Sequence, residues 1–311
     1  MQKQRLGRTE LEITPVGVGA WAIGGGGTWG WGDQDDADSV AAIHRAVERG
    51  VNWIDTAPAY GLGRSEEVVG RAVKGLSDPP FIFSKCGSYP VEGGTEPRLK
   101  AKWVRQLCED SLRRLQVEAI DLYQVHWPDP DEDIEEGWAT LAELKAEGKL
   151  RHIGASNFSV AQLERAEAIA PVESLQPPYS LISRAVEDSI LPWCLEHDTG
   201  VIVYSPMASG LLSGRMTKER VAALPANDFR SHVGSFEEPA LSRNLALADR
   251  LAAIGARHGT SAGAVAIAWT LRNPAVTAAI VGFRRPEQVD DLVPSAGELE
   301  LTDVDRAAIA P

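Results

Sequence analysis

The chain has 311 residues, 44% hydrophobic and 24% charged, enough apolar side chains to bury a large core without disulfide or metal staples. Its formal net charge of −13 argues against nucleic acid or an anionic membrane as partners, since both reward clustered Lys and Arg. The length would suit about two average domains, but an α/β barrel holds about 250 residues around one closed sheet.

Residues 5–14 read as a small hairpin turning near residues 7–9, followed by an apolar run at 15–19. A helical pattern covers 36–49 and stops at Gly50, and the next apolar run is 51–54. Ser65 is placed as the N-cap of a helix through Ala72, with Glu66 and Glu67 suiting its first turn. Residues 81–84 read as a strand and 102–115 as a helix. Residues 119–125 are again a strand, and 134–147 a helix closed by Gly148. After a strand at 152–155, Ser159 caps a helix to Ile169. A strand at 172–176 precedes a helix over 185–197, which Pro192 is expected to kink. The seventh strand is 200–204. Helices at 242–258 and 261–272 lead to the eighth strand at 276–281, and residues 286–292 open the last barrel helix. The most irregular stretch, 213–239, is expected to be a long active-site loop.

Eight short apolar runs alternating with helical segments argue for a parallel sheet. Val201-Ile202-Val203 and Ala278-Ala279-Ile280-Val281 are continuous, as strands buried on both faces should be. Closing eight such units gives a (β/α)8 TIM barrel, here with an N-terminal β-hairpin and extra helices and loops toward the C-terminus. Residues 1–311 are read as one domain. A doubly wound sheet would want GxGxxG after the first strand, where this chain has Trp21-Ala22-Ile23-Gly24-Gly25-Gly26-Gly27. Cys86, Cys108 and Cys194 form no CxxC pair and no metal-like cluster, so no metal is expected and a reducing compartment is. Residues 1–14 hold no apolar signal core, which makes the cytoplasm the expected address.

In such a barrel, chemistry sits just past the carboxyl ends of the strands. Those positions hold Asp55 with Tyr60 in its loop, then Lys85, His126, Ser156 with Asn157, Gln176, and Tyr204 with Ser205. A purely structural barrel needs no such row of polar side chains at one mouth. Singly, each has an ordinary reading. Tyr60 could be a packing ring, His126 a satisfied structural histidine, and Lys85 a Schiff-base nucleophile of an aldolase-like barrel. His44, His152, His197, His232 and His258 lie away from strand ends and are read as surface or structural.

The segment Asp55-Thr56-Ala57-Pro58-Ala59-Tyr60-Gly61, followed by Ser65-Glu66, resembles the aldo-keto reductase signature. Lys85 and His126 on the next two strands complete that family's tetrad. Gly154-Ala155-Ser156-Asn157-Phe158 resembles its GxSNF motif. Tyr204-Ser205-Pro206 and Gly282-Phe283-Arg284-Arg285-Pro286-Glu287-Gln288 resemble its cofactor segments. The resemblance implies NADPH-dependent reduction of an aldehyde or ketone, with Asp55, Tyr60, Lys85 and His126 catalytic.

The chemistry of the tetrad agrees with that role. A carbonyl receiving hydride develops negative charge on oxygen and needs a proton there. Tyrosine is a poor acid, with an unperturbed pKa of about 10. A nearby Lys85 ammonium is expected to favour the tyrosinate and make Tyr60 a better donor. Asp55 would hold Lys85 charged and in place, and His126 would orient the carbonyl.

Ser156, Asn157 and Gln176 suit the nicotinamide carboxamide. The resemblance makes Tyr204 the ring that stacks on the nicotinamide. It makes Ser205, Pro206, Met207, Gly210 and Leu211 the strap over the pyrophosphate. It makes Gly282 cofactor-binding and places Arg284 and Gln288 at the adenosine 2′-phosphate, where an arginine binds in a bidentate way. The ordinary reading of Arg284 and Arg285 is a solvated charge pair. The family usually ends this motif in Glu-Asn, whereas this chain has Asp291-Leu292. Asp291 keeps the carboxylate function with a shorter reach, but Leu292 loses the amide contacts to adenine, which leaves the choice between NADPH and NADH less determined.

The Gly24–Gly27 tract is not a phosphate loop, since no GxxxxGK[ST] follows. With Trp21, Trp29 and Trp31 around it, it reads as an aromatic flap over the mouth; packing of the loop is an equal reading for Trp31. Trp21, Trp29 and Trp127 are the expected substrate walls, with Tyr89 and Arg64 in neighbouring loops. Such walls suit small polar or aryl aldehydes, sugars or hydroxy-ketones. Two other classes stay open: a nucleotide-binding partner subunit like the potassium-channel β subunits, and a Schiff-base lyase using Lys85.

Overall fold

The structure, a computed structural model, describes residues 1–26 and 30–309. Trp29, one of the three expected substrate walls, and Gly27 of the glycine tract lie outside the described residues. The barrel strands are β1 (Val16–Gly19), β2 (Trp53–Asp55), β3 (Phe81–Cys86) and β4 (Ile120–Val125), followed by β5 (Leu150–Ser156), β6 (Ser174–Gln176), β7 (Gly200–Val203) and β8 (Ala278–Gly282). Every neighbouring pair is parallel, and β8 closes on β1 with Ile280 opposite Gly17 and Gly282 opposite Gly19. This is a (β/α)8 TIM barrel.

The helices between the strands are α1 (Asp36–Glu48), α2 (Arg64–Val73), α3 (Ala101–Leu115), α4 (Ile134–Ala146), α5 (Val160–Glu167) and α6 (Ile190–Glu196). After β7 come the short α7 (Lys218–Ala222), then α8 (Ala240–His258) and α9 (Ala262–Leu271). The chain ends in α10 (Pro286–Ala296) and α11 (Asp303–Ile309). The N-terminal hairpin pairs Gln4–Arg5 with Glu12–Ile13. Among the described residues no helix is long and apolar enough to cross a membrane.

Two apolar layers hold the barrel. The outer one lies between strands and helices. The inner one joins Trp53, Phe83, Leu122, Ile202, Ala278 and Ile280, with Leu6, Leu11 and Ile13 of the hairpin closing the bottom. Side chains alternate along a strand, so the next inward position lies two residues on. From Trp53, Phe83, Leu122 and Ile202 that step leads to Asp55, Lys85, Gln124 and Tyr204. A polar layer therefore sits directly on the apolar plug, at the carboxyl end.

Three local expectations are corrected. Ser65 is not a helix cap: Gly63 precedes α2, and Ser65 Oγ sits inside the first turn, donating to Ala20 O at 2.8 Å and bonded to Thr56 Oγ1 at 2.8 Å. It ties the second loop to the first instead. Pro192 kinks nothing. The chain breaks earlier, after a 3-10 turn at Ala185–Glu187, and Pro192 falls in the first turn of α6, where a missing N–H costs little. The stretch 213–239 is not plain loop, since it contains α7, capped by Thr217, and further 3-10 turns. A second hairpin, Ser88–Val91 with Gly94–Pro97, follows β3 and was not anticipated. Its short polar strands carry too weak an alternation to read.

Candidate active site

Lys85 is fully buried on β3. Its Nζ donates to Asp55 Oδ1 at 2.6 Å, to Thr56 O at 3.0 Å and to Tyr60 Oη at 3.2 Å. The ring of Tyr60 meets that of His126 edge-on, with centroids 5.7 Å apart. The four residues of the expected tetrad are thus brought together at one mouth. The Tyr60 turn is set by close packing of two loops. A Cβ on Gly61, which has φ +62°, would lie 2.2 Å from Gly24 O. A larger residue there would push the Tyr60 turn away from the first loop.

The electrostatics differ from the sequence expectation in one respect. The Tyr60 hydroxyl is held well above the ordinary tyrosine value, first by burial and then by the Asp55 charge. Lys85 does not bring it down to the ordinary value, because burial and the Asp55 charge outweigh the neighbouring cation. Burial pulls Lys85 itself below the ordinary lysine value, against the opposing effect of Asp55. His126 lies well below the ordinary histidine value, through burial and then the Lys85 charge. Its Nδ1 is buried without a partner among the described residues. A buried lone pair is cheaper to leave unmatched than a buried N–H, which favours the Nε2–H tautomer.

This mouth opens into a cleft of about 1470 Å³. Ser156, Asn157, Gln176, Tyr204, Ser205, Pro206, Met207, Gly210, Gly282, Arg284, Gln288 and Asp291 all line it, as do Trp21 and Trp127. Leu211 does not. It is fully buried beneath the loop against Met216, Phe236 and Leu241, so it anchors the strap rather than facing the cleft. Ser156 Oγ donates to Gln176 O at 2.8 Å, Asn157 Nδ2 to His126 O at 3.0 Å, and Tyr204 Oη to Asn157 Oδ1 at 2.9 Å. Gln176 Nε2 donates to Asp55 Oδ2 at 2.8 Å.

At the far end, Arg284 donates to Gln34 Oε1 at 2.6 Å, Trp31 O at 3.2 Å and Asp33 O. No carboxylate forms a salt bridge with it among the described residues, while the charges of Asp228 and Asp33 act on it from farther off and those of Arg230 and Arg285 oppose them. Gln288 Oε1 accepts from the Arg284 and Arg285 N–H groups at 2.7 and 3.1 Å. Asp291 pairs with Arg215 at 2.7 Å, joining α10 to the strap, and Leu292 is buried.

Phe229, unnoticed in the sequence, lies 4.6 Å from Trp21 and 4.9 Å from Trp31, ring to ring, and its N–H donates to Gly30 O. The loop after β7 therefore crosses the cleft and docks on the loop after β1. Arg64 is bound to Asp36 and Gln34 O, and Tyr89 packs on Trp103; neither lines the cleft. His152 is structural, with Nδ1 2.9 Å from Glu173 Oε1.

The model of the aldo/keto reductase family matches residues 15–310. The chain is 37% identical to the aldo-keto reductase YhdN of Bacillus subtilis (strain 168), covering 94% of this chain and 88% of that one. It is 33% identical to an NADH-specific methylglyoxal reductase of Escherichia coli (strain K12), covering 98% and 96%. Its fold superimposes on a glycerol dehydrogenase from Gluconobacter oxydans with a TM-score of 0.89, at 36% identity over 99% of this chain and 94% of that one. The protein belongs to the aldo/keto reductase family and is an NAD(P)H-dependent oxidoreductase.

Proposed function

We propose that the protein reduces small polar or aryl carbonyl compounds with NADPH, with Tyr60 as the proton donor. The observation that carries this reading is the buried Lys85 ammonium held between Asp55 and Tyr60 at the floor of an open cleft. When bound, the nucleotide would supply the hydride that reduces the carbonyl carbon. Because Lys85 donates into the Tyr60 oxygen, the Tyr60 proton is left to point into the cleft. When it leaves for the substrate oxygen, the tyrosinate forms 3.2 Å from a positive charge. Burial opposes that ionisation, and the charge of Lys85 offsets part of the cost where negative charge develops. Neutral His126, as the Nε2–H tautomer, donates to the carbonyl oxygen and orients it.

The protonated forms of Tyr60 and Lys85 are the active ones for reduction. The kcat/KM for reduction should therefore stay level through neutral pH and fall at alkaline pH, as Lys85 loses its proton below the ordinary lysine value. No limb is expected near the ordinary histidine value, because His126 is already neutral there. A pH–rate profile with its main transition between pH 6 and 7, the range around the unperturbed histidine value of about 6.5, would assign the acid to the wrong group.

Ser156, Asn157 and Gln176 would hold the carboxamide, Tyr204 the nicotinamide ring, and the 205–210 strap the pyrophosphate. The preference for NADPH rests on the guanidinium of Arg284, which no carboxylate salt-bridges among the described residues, supported by Gln288. Arg284→Ala should weaken NADPH binding by about 1.5–3 kcal/mol, the worth of a charge-assisted contact, and spare NADH. Equal losses for both nucleotides, measured by titration, would show that Arg284 acts by holding residues 31–34 instead.

The substrate reading rests on the walls. Trp21, Trp31 and Phe229 form one cluster beside Tyr60, and Trp127, 49% exposed, stands at the rim. Such a mouth favours compact substrates. Specificity constants for glyceraldehyde-sized and nitrobenzaldehyde-sized substrates should exceed those for steroid ketones and long alkanals. A tenfold advantage for the bulky class, about 1.4 kcal/mol of transition-state binding, would discard the compact pocket. We place the protein in the cytoplasm, supported by three buried free thiols that suit a reducing compartment.

A further inference from the structure

We propose that Gln124, which the reduction itself does not use, is a positioning residue that fixes the amide of Gln176 and so its grip on the nicotinamide. This rests on the reading that Gln176 binds the carboxamide. Gln124 lies on β4, in register with Lys85 on β3 and Gly154 on β5, and is fully buried. The inward residue before it is Leu122, part of the apolar plug. An apolar residue would be the ordinary occupant of such a place.

The fold makes room for this amide. A Cβ on Gly154 would lie 3.1 Å from Gln124 Cγ and 2.8 Å from Ser174 O. The missing side chain on β5 leaves the space that Gln124 fills. Gln124 also keeps a cost, because its Nε2 is buried with no partner among the described residues. Buried amide hydrogens are rarely left unmatched, and an exception calls for a compensating use.

The use is visible in its oxygen. A carboxylate only accepts, so Asp55 Oδ2 forces Gln176 to turn its Nε2 toward it, at 2.8 Å. The other acceptor beside that nitrogen is Gln124 Oε1, at 3.5 Å, a long contact at the edge of hydrogen-bonding reach. With both hydrogens of Nε2 drawn to Asp55 and Gln124, Gln176 offers its own Oε1, an acceptor, to the cleft that it lines. An acceptor matches the NH2 of a nicotinamide carboxamide. Without Gln124 Oε1, only one contact restrains the Gln176 amide.

The test compares two probes, NADPH and 2′-phospho-ADP-ribose, which lacks the nicotinamide. Gln124→Met removes the acceptor at similar volume, and Gln124→Leu is the second variant should the first fail to fold. Either should weaken NADPH about two- to fivefold, the low end for the loss of one hydrogen bond, and leave 2′-phospho-ADP-ribose unchanged. In a Gln176→Met background the same change should have no further effect on NADPH. Unchanged NADPH affinity in the Gln124 variants, or equal weakening of both probes, overturns the proposal. If Gln176→Met alone binds NADPH as tightly as the native protein, the carboxamide reading fails first. If Gln176→Met weakens NADPH but the Gln124 variants do not, only the role of Gln124 falls.

Discussion

Tyr60→Phe should lower kcat for carbonyl reduction by about 10²–10⁴-fold, the range that a positioned general acid contributes. Nucleotide affinity should stay nearly unchanged, because the change deletes one oxygen and keeps the ring that packs against His126 and Trp21. Among the described residues that oxygen makes a single hydrogen bond, from Lys85 Nζ at 3.2 Å, and Lys85 keeps two other acceptors in Asp55 and Thr56 O. The variant should therefore fold and bind as before. Steady-state rates together with a nucleotide titration check both halves. A variant that kept most of its turnover would move the proton donor to another group, with His126 the nearest candidate.

Lys85→Met should abolish turnover as well, and it should also destabilise the protein. Lys85 and Asp55 form a pair with almost no solvent exposure, their side chains 0% and 3% accessible. Removing the ammonium strands the buried Asp55 carboxylate, with Gln176 its remaining side-chain donor among the described residues. Breaking a buried pair from one side costs about 3–5 kcal/mol, most of it the stranded charge. The double change Lys85→Met with Asp55→Asn should recover much of that stability, since no buried charge remains, but none of the activity. Denaturant unfolding of the native, single and double forms measures this directly. Recovery of activity in the double variant would mean that the charge of Lys85 is not needed at Tyr60.

The barrel was legible because its strands carry continuous apolar runs and its helices keep their own period. The polar layer was legible for a related reason. Asp55, Lys85 and His126 stand at or just past strand ends, where a packed barrel has no use for charge. Sequence could not show how those charges balance. Proximity to Lys85 was expected to lower the Tyr60 value, but burial depends on three dimensions, and it outweighs a cation already matched by Asp55. Phe229 escaped notice because a lone aromatic in a polar loop has no period, and only the fold brings it to Trp21 and Trp31. Leu211 was placed at the cleft by position in a motif, whereas packing against Met216 and Phe236 turns it inward. Gln124 reads as an ordinary polar residue in Leu122-Tyr123-Gln124-Val125 until the register sets it beside Lys85.

The most direct measurement follows the loss of reduced-nicotinamide absorbance when the native protein is mixed with NADPH and a nitrobenzaldehyde, in parallel with the Tyr60→Phe variant. Steady oxidation by the native protein, with the alcohol formed in equal amount, and almost none by the variant, is the predicted result. Nucleotide that binds tightly yet is oxidised by no carbonyl in a panel of aldehydes, ketones and sugars, or oxidation that survives the loss of the Tyr60 hydroxyl, would contradict it.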